Sequence, residues 1–99
     1  MATIAATRTT GNVTLSGTTV DTVTIGTGPF DVCNWTGATD LTVTYASSGA
    51  ATPVAGAAET YRVPAGTSRR IEAPSAMIGG TIEIKVLGNG NVYSIDGAG

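Results

Sequence analysis

The run Thr81-Ile82-Glu83-Ile84-Lys85-Val86-Leu87 alternates apolar and polar residues with a period of two. Only an extended strand places every second side chain on one face, so Ile82, Ile84 and Val86 define an inward face opposite Glu83 and Lys85. The same rule sets Leu41, Val43 and Tyr45 against Thr42 and Thr44, and groups Asp21, Val23 and Ile25 on one side of a further strand. Phe30-Asp31-Val32-Cys33-Asn34-Trp35 breaks the rule. Phe30 and Val32 fall on one side, Cys33 and Trp35 on the other, which calls for a strand buried on both faces or carrying a bulge. No stretch carries a helical period.

Turn signals punctuate these runs at Ser16-Gly17, Gly26 to Pro29, Thr36-Gly37, Ser48-Gly49, Pro64-Ala65-Gly66 and Gly79-Gly80. The strongest is Gly88-Asn89-Gly90-Asn91, whose Asn-Gly pair predicts a hairpin joining residues 81–87 to 92–96. Seven to eight short strands at such spacing predict an all-β fold, a small antiparallel β-sandwich or barrel. Residues 1–12 are polar and weakly patterned and read as an extended N-terminal arm, expected to order against a neighbour. Residues 13–99 form the single sandwich domain. Within it, residues 46–58 are small and nearly uncharged and read as a long loop, a feature that is often functional.

Composition narrows the function. A 99-residue chain supports one modest core. With 41% hydrophobic and 12% charged residues it is too aliphatic to remain disordered, and its abundant Thr suits a half-wet pleated surface. The net charge of −2 argues against a nucleic-acid partner, since phosphate binding needs clustered Lys and Arg. No apolar run reaches the length of a membrane span. The start, MATIAATRTT, lacks the basic region and apolar core of a signal peptide, so synthesis in a cytoplasm without secretion is expected.

Catalytic equipment is sparse. The chain has no histidine, which removes Ser-His-Asp and Cys-His catalysis and any His-based metal site. A lone cysteine, Cys33, makes neither a disulfide nor a zinc site, and reads as a small buried hydrophobe. The four Asp and three Glu form no calcium loop, and the glycines form no phosphate-binding loop. Two glycosylation sequons, at Asn12 and Asn34, are expected by chance in so Thr-rich a chain. No enzyme, cofactor or metal is therefore expected. The aromatic residues Phe30, Trp35, Tyr45, Tyr61 and Tyr93 are assigned to core or interface packing, together with Val32, Leu41, Val43, Val63, Ile82, Ile84, Val86 and Ile95. Trp35 and Cys33 are accordingly expected to be shielded from solvent within the assembled protein, by its core or by a subunit interface. The competing reading of the aromatics is a sugar-binding platform.

The order of elements carries a resemblance. VTLSGTTVDTVTI leads to Val32, Asn34, Thr36 and Gly37 in a V-x-N-x-T-G pattern, followed by Leu41-Thr-Val-Thr-Tyr45 and a small-residue loop with Thr52-Pro53. Then come Tyr61, Val63, Pro64, Ala65 and Gly66 as Y-x-V-P-A-G, Ser68-Arg69, and a closing V-Y-S-I-D-G. Over about residues 13–97 this resembles the small accessory virion proteins of tailed bacteriophages, particularly capsid decoration (cement) proteins. The resemblance implies a non-enzymatic structural virion protein without cofactor. It would be made in the host cytoplasm and bound to the major capsid protein on the outer surface of the head. It also implies a homo-oligomer, a trimer in preference to a dimer. Two alternatives stand beside it: a minor tail or head–tail structural protein, and a carbohydrate-binding or adhesin-like β-sandwich module. A hydrolase built from paired carboxylates ranks behind both.

Arg8, Arg69 and Arg70 are the candidate contacts to capsid or neighbouring subunit. If a strand begins at Ser68, Arg69 shares the side of Ile71 and lies along the sandwich edge, its guanidinium reaching Glu59, Glu72 or Glu83. Arg70 then faces fully outward, either as a solvated guard of a strand edge or as a contact to an acidic shell.

Overall fold

The computed structural model describes residues 3–5, 9–26, 29–36, 39–46, 52–53, 60–72 and 81–97. Among them the alternating runs become nine strands, with no helix. They are β1 (Thr3–Ala5), β2 (Val13–Thr14), β3 (Asp21–Gly26), β4 (Phe30–Thr36), β5 (Leu41–Ala46), β6 (Tyr61–Val63), β7 (Ser68–Ile71), β8 (Thr81–Leu87) and β9 (Val92–Gly97). Five of them form a sheet in the order β1-β3-β8-β5-β6, and four a second sheet in the order β2-β9-β4-β7. The inward faces of both sheets meet in one apolar cluster, so the expected sandwich is the fold. Every strand pairing is antiparallel except β1 with β3, which is parallel. The count exceeds the predicted seven to eight because short pairings such as β1 and β2 carry too few residues to show alternation.

Period-two patterning translates directly into burial. Val23 and Ile25 of β3, Leu41 and Val43 of β5, Val63 of β6, and Ile82, Ile84 and Val86 of β8 line one side of the core. Phe30 and Val32 of β4, Ile71 of β7, and Tyr93 and Ile95 of β9 line the other, and Leu15 closes an end. Each such side chain contributes about 1.5–3 kcal/mol on leaving water. Asp21 is buried on the same face as Val23, as its place in the pattern requires, and accepts a 2.8 Å hydrogen bond from the Tyr93 hydroxyl. Burial, then the bond and charge of Asp21, push the Tyr93 phenol far above its usual range.

The predicted hairpin at Gly88-Asn89-Gly90-Asn91 does not form. β8 pairs with β3 and β5, whereas β9 pairs with β2 and β4 in the opposite sheet. The reason lies in Asn91, whose side chain is turned inward and fully buried. Its Oδ1 accepts from the Asn89 amide at 2.7 Å and the Thr39 hydroxyl at 3.1 Å. Its Nδ2 donates to Asn34 Oδ1 and to the Thr39 carbonyl, both at 2.9 Å. Gly90 takes the left-handed conformation expected of an Asn-Gly turn, with φ of 68°. Gly88 leaves room for the amide: a Cβ there would sit 2.5 Å from Asn91 Oδ1. The turn therefore carries the chain from one sheet into the other. All other connections between successive strands cross likewise, except that from β5 to β6.

Parts of the predicted arm lie against the two sheets. β1 edges the five-stranded sheet, with Ile4 partly buried against the core. Thr9 bridges Asp96 of β9, and Thr10 and Ile95 exchange hydrogen bonds, backbone to backbone and backbone to hydroxyl, each at 3.0 Å. Of the long loop, only Ala46, Thr52 and the buried Pro53 fall within the described residues.

Candidate functional site

The irregularity read in Phe30-Asp31-Val32-Cys33-Asn34-Trp35 is a bulge in β4. Asn34 pairs with Tyr93 and Thr36 with Val92, which leaves Trp35 as the extra residue. Asn34 points into the sandwich, where its Nδ2 donates to the carbonyls of Val63 at 3.0 Å and Thr39 at 3.2 Å. Its backbone amide donates to the Thr67 carbonyl at 2.9 Å and its carbonyl accepts from the Gly66 amide at 3.0 Å. This end of β4 is thereby tied to the Pro64-Ala65-Gly66-Thr67 turn between β6 and β7. A bulge re-aims the side chain it carries, and here it sends the indole outward.

Trp35 is 54% exposed, and among the described residues no other large hydrophobe is exposed. Of the two placements expected for it, core or interface, the core is thereby excluded. The indole is not loose: its Nε1 donates to Ser94 Oγ at 2.8 Å, and Ser94, though on the outward face of β9, is buried. Beside it lies an open groove of about 150 Å³ lined by Cys33, Asn34, Trp35, Gly66, Thr67 and Ser68. Cys33 is half-buried on this groove, which corrects its reading as a small buried hydrophobe. The remaining packing assignments hold: Phe30, Val32, Leu41, Val43, Val63, Ile82, Ile84, Val86, Tyr93 and Ile95 are buried, with Tyr45 and Tyr61 partly buried against them.

Register arranges the polar residues of this outer face in a line. Thr9, Asp96, Asp31 and Arg70 stand side by side across successive strands. Arg70 does face outward, but it is not a solitary cation. Its Nε donates to Asp31 Oδ1 at 3.0 Å and its Nη2 to Asp31 Oδ2 at 3.3 Å. That hydrogen bond, then the charge of Asp31, hold the guanidinium even more firmly protonated than usual. Asp96 stands directly opposite Asp31 and accepts from the Thr9 hydroxyl.

Arg69 takes the predicted place along the sandwich edge, and among the described residues its contacts are an aromatic ring and a carbonyl. Its guanidinium lies 5.0 Å from the centre of the Tyr61 ring, and Nη1 donates to the Arg62 carbonyl at 3.2 Å. It spans from the edge of one sheet to the edge of the other, closing the sandwich over the aromatic cluster of Tyr61, Tyr45 and Phe30. Burial raises the Tyr45 phenol, and the hydrogen bond and charge of Tyr61 raise it further. An aromatic face offers cation–π attraction without desolvating a carboxylate, so it competes well for an edge arginine. Arg8 and Glu59 lie outside the described residues.

Among the described residues no group of three or more His, Cys, Asp or Glu is placed to hold a metal ion, and no helix is long and apolar enough to cross a membrane. The site is thus a surface, made of one fixed indole, a shallow groove of small residues and a charged row. Sequence reasoning missed Ser94 and Asp96. Their signal was the alternation Val92, Ser94, Asp96 against Tyr93 and Ile95, usable only once β4 is known to lie alongside. Comparison with family models, curated proteins and solved structures found no match.

Proposed function

We propose that this chain is a non-enzymatic structural virion protein of the capsid-decoration type, which docks on its shell through the outer face of the four-stranded sheet. The observation that carries this reading is Trp35, half exposed and held by Ser94. A large aromatic already fixed in one orientation loses little freedom on binding, which is the property of an interface anchor. The small residues around it, Cys33, Ser68 and Ser94, leave space for a partner's side chain. The resemblance in element order supplies the setting. Repetition over a shell would multiply modest contacts through avidity.

An exposed tryptophan beside a groove also suits a glycan. Sugar recognition, however, needs convergent polar groups alongside the ring. Among the described residues lining the groove, the one side-chain amide, Asn34, is committed to Asn91, Val63 and Thr39. The balance therefore favours a protein partner.

The test is binding of the purified chain to shells assembled from the phage's major capsid protein, with Trp35→Ala beside it and a glycan array run in parallel. Saturable binding to shells that Trp35→Ala weakens, without glycan signal, supports the proposal. Absence of shell binding, or glycan binding that needs Trp35, overturns it.

A further inference from the structure

We infer that the partner of this face is a basic protein surface, which inserts an Arg or Lys side chain between Asp31 and Asp96. The inference rests on the docking reading above and specifies the chemistry of its partner. Cross-strand neighbours with like charge destabilise a sheet, and Asp31 and Asp96 are such neighbours. Arg70 relieves only half of the conflict, because it stands on the far side of Asp31 and both of its hydrogen bonds go there. Asp96 receives a hydroxyl from Thr9, a neutral donor. Among the described residues, two carboxylates stand against one guanidinium, which leaves the row with an excess negative charge.

The position of that excess matters. Asp31, Cys33 and Trp35 project from the same side of β4, and Ser94 and Asp96 from the same side of β9. The charged row and the indole are therefore two stations on one face, roughly four residues or ~13 Å apart along the strand. A partner seated on Trp35 covers the row at its rim. There a cation meets two carboxylates with only partial loss of solvent. A second copy of this chain on a two-fold axis through the row would bring acidic row against acidic row, so the charge pattern opposes self-pairing centred there.

Asp96→Asn isolates the charge, since the asparagine keeps an acceptor for Thr9. Shell binding and thermal stability are measured together over a range of salt, with Asp40→Asn as a control. That control removes the same charge from a residue paired with Arg62 on the other sheet. The expected result is that Asp96→Asn weakens binding about tenfold and flattens its salt dependence, while its melting temperature is unchanged or higher. Asp40→Asn should bind as the parent does. If Asp96→Asn binds shells normally while Trp35→Ala does not, the docking face stands and the basic partner is overturned. If neither variant changes binding, or the parent chain does not bind, both readings fall. Loss of binding together with loss of folding would assign Asp96 a purely structural role and also overturn the inference.

Discussion

Asn91 donates its side-chain amide to the side-chain carbonyl of Asn34 at 2.9 Å, joining the crossover before β9 to the bulge in β4. One amide holds the chain in its passage between the sheets, and the other sets the strand from which Trp35 projects. Asn91→Ala removes the donor of Asn34 and the acceptor of the Asn89 amide in a buried place. It is expected to cost at least about 2 kcal/mol, read from urea unfolding. Gly88→Ala should be destabilising for the same reason, because its methyl group meets Asn91 Oδ1 and Leu15 Cδ1.

Trp35 is the sole tryptophan, which makes the docking face directly visible by fluorescence. The free chain is expected to emit at long wavelength and to be quenched readily by acrylamide. Shell binding should shift the emission to the blue and protect it. Trp35→Ala is expected to leave folding intact and to weaken binding by roughly 2 kcal/mol, about thirtyfold. A blue-shifted, protected indole in the free monomer would contradict the exposed placement.

Alkaline pH should unfold the chain through its tyrosines. The Tyr93 and Tyr45 phenols are both raised in the folded state. The stability they supply is complete below the unfolded phenol value of about 10 and is lost as pH climbs toward the folded values, because only the unfolded chain releases those protons. Melting temperature should therefore fall above about pH 10. Tyr93→Phe should lower stability at neutral pH by about 1–2 kcal/mol, through loss of the hydroxyl that serves Asp21, and should flatten the alkaline decline. Thermal scans from pH 7 to 11 on both proteins would show this.

The two adjacent arginines should respond differently to truncation. Arg69→Ala removes the cation over Tyr61 and is expected to cost about 0.5–1 kcal/mol with little dependence on salt. Arg70→Ala takes the Arg70 guanidinium away from Asp31 and Asp96, which face each other across the strands, so its destabilisation should shrink as salt is added. Equal salt sensitivity in the two variants would show that their surroundings differ less than the geometry indicates.

Faces were legible in the sequence, whereas partners were not. Period two assigns Ile82, Ile84, Val86, Val23 and Val43 to the core wherever their strands are placed, and all are buried. It carries no information on which strand lies alongside, so the Asn-Gly turn was assigned the commonest outcome, a hairpin. The inward amide of Asn91 decided otherwise, and that contact spans the 57 positions to Asn34. The site was half legible. The broken alternation around Trp35 signalled a bulge, but its outward aim depends on Ser94, 59 residues away. Arg69 and Arg70 were placed on the correct sides by strand geometry alone. Their partners, Tyr61 and Asp31, come from other strands and required the register.

The placement of β9 also governs when this protein can first exist as a folded object. β9 lies between β2 and β4, contributes Tyr93 and Ile95 to the core, and comes later in the sequence than every strand it pairs with. Until β9 has emerged from the ribosome, the four-stranded sheet has a gap in its middle, and Thr9, Thr10 and β2 have no strand to lie against. Residues 92–97 must therefore have emerged before the two faces of the core can close on each other. The nascent chain, with strands whose neighbours arrive last, waits on topology that folds on the millisecond-to-second scale.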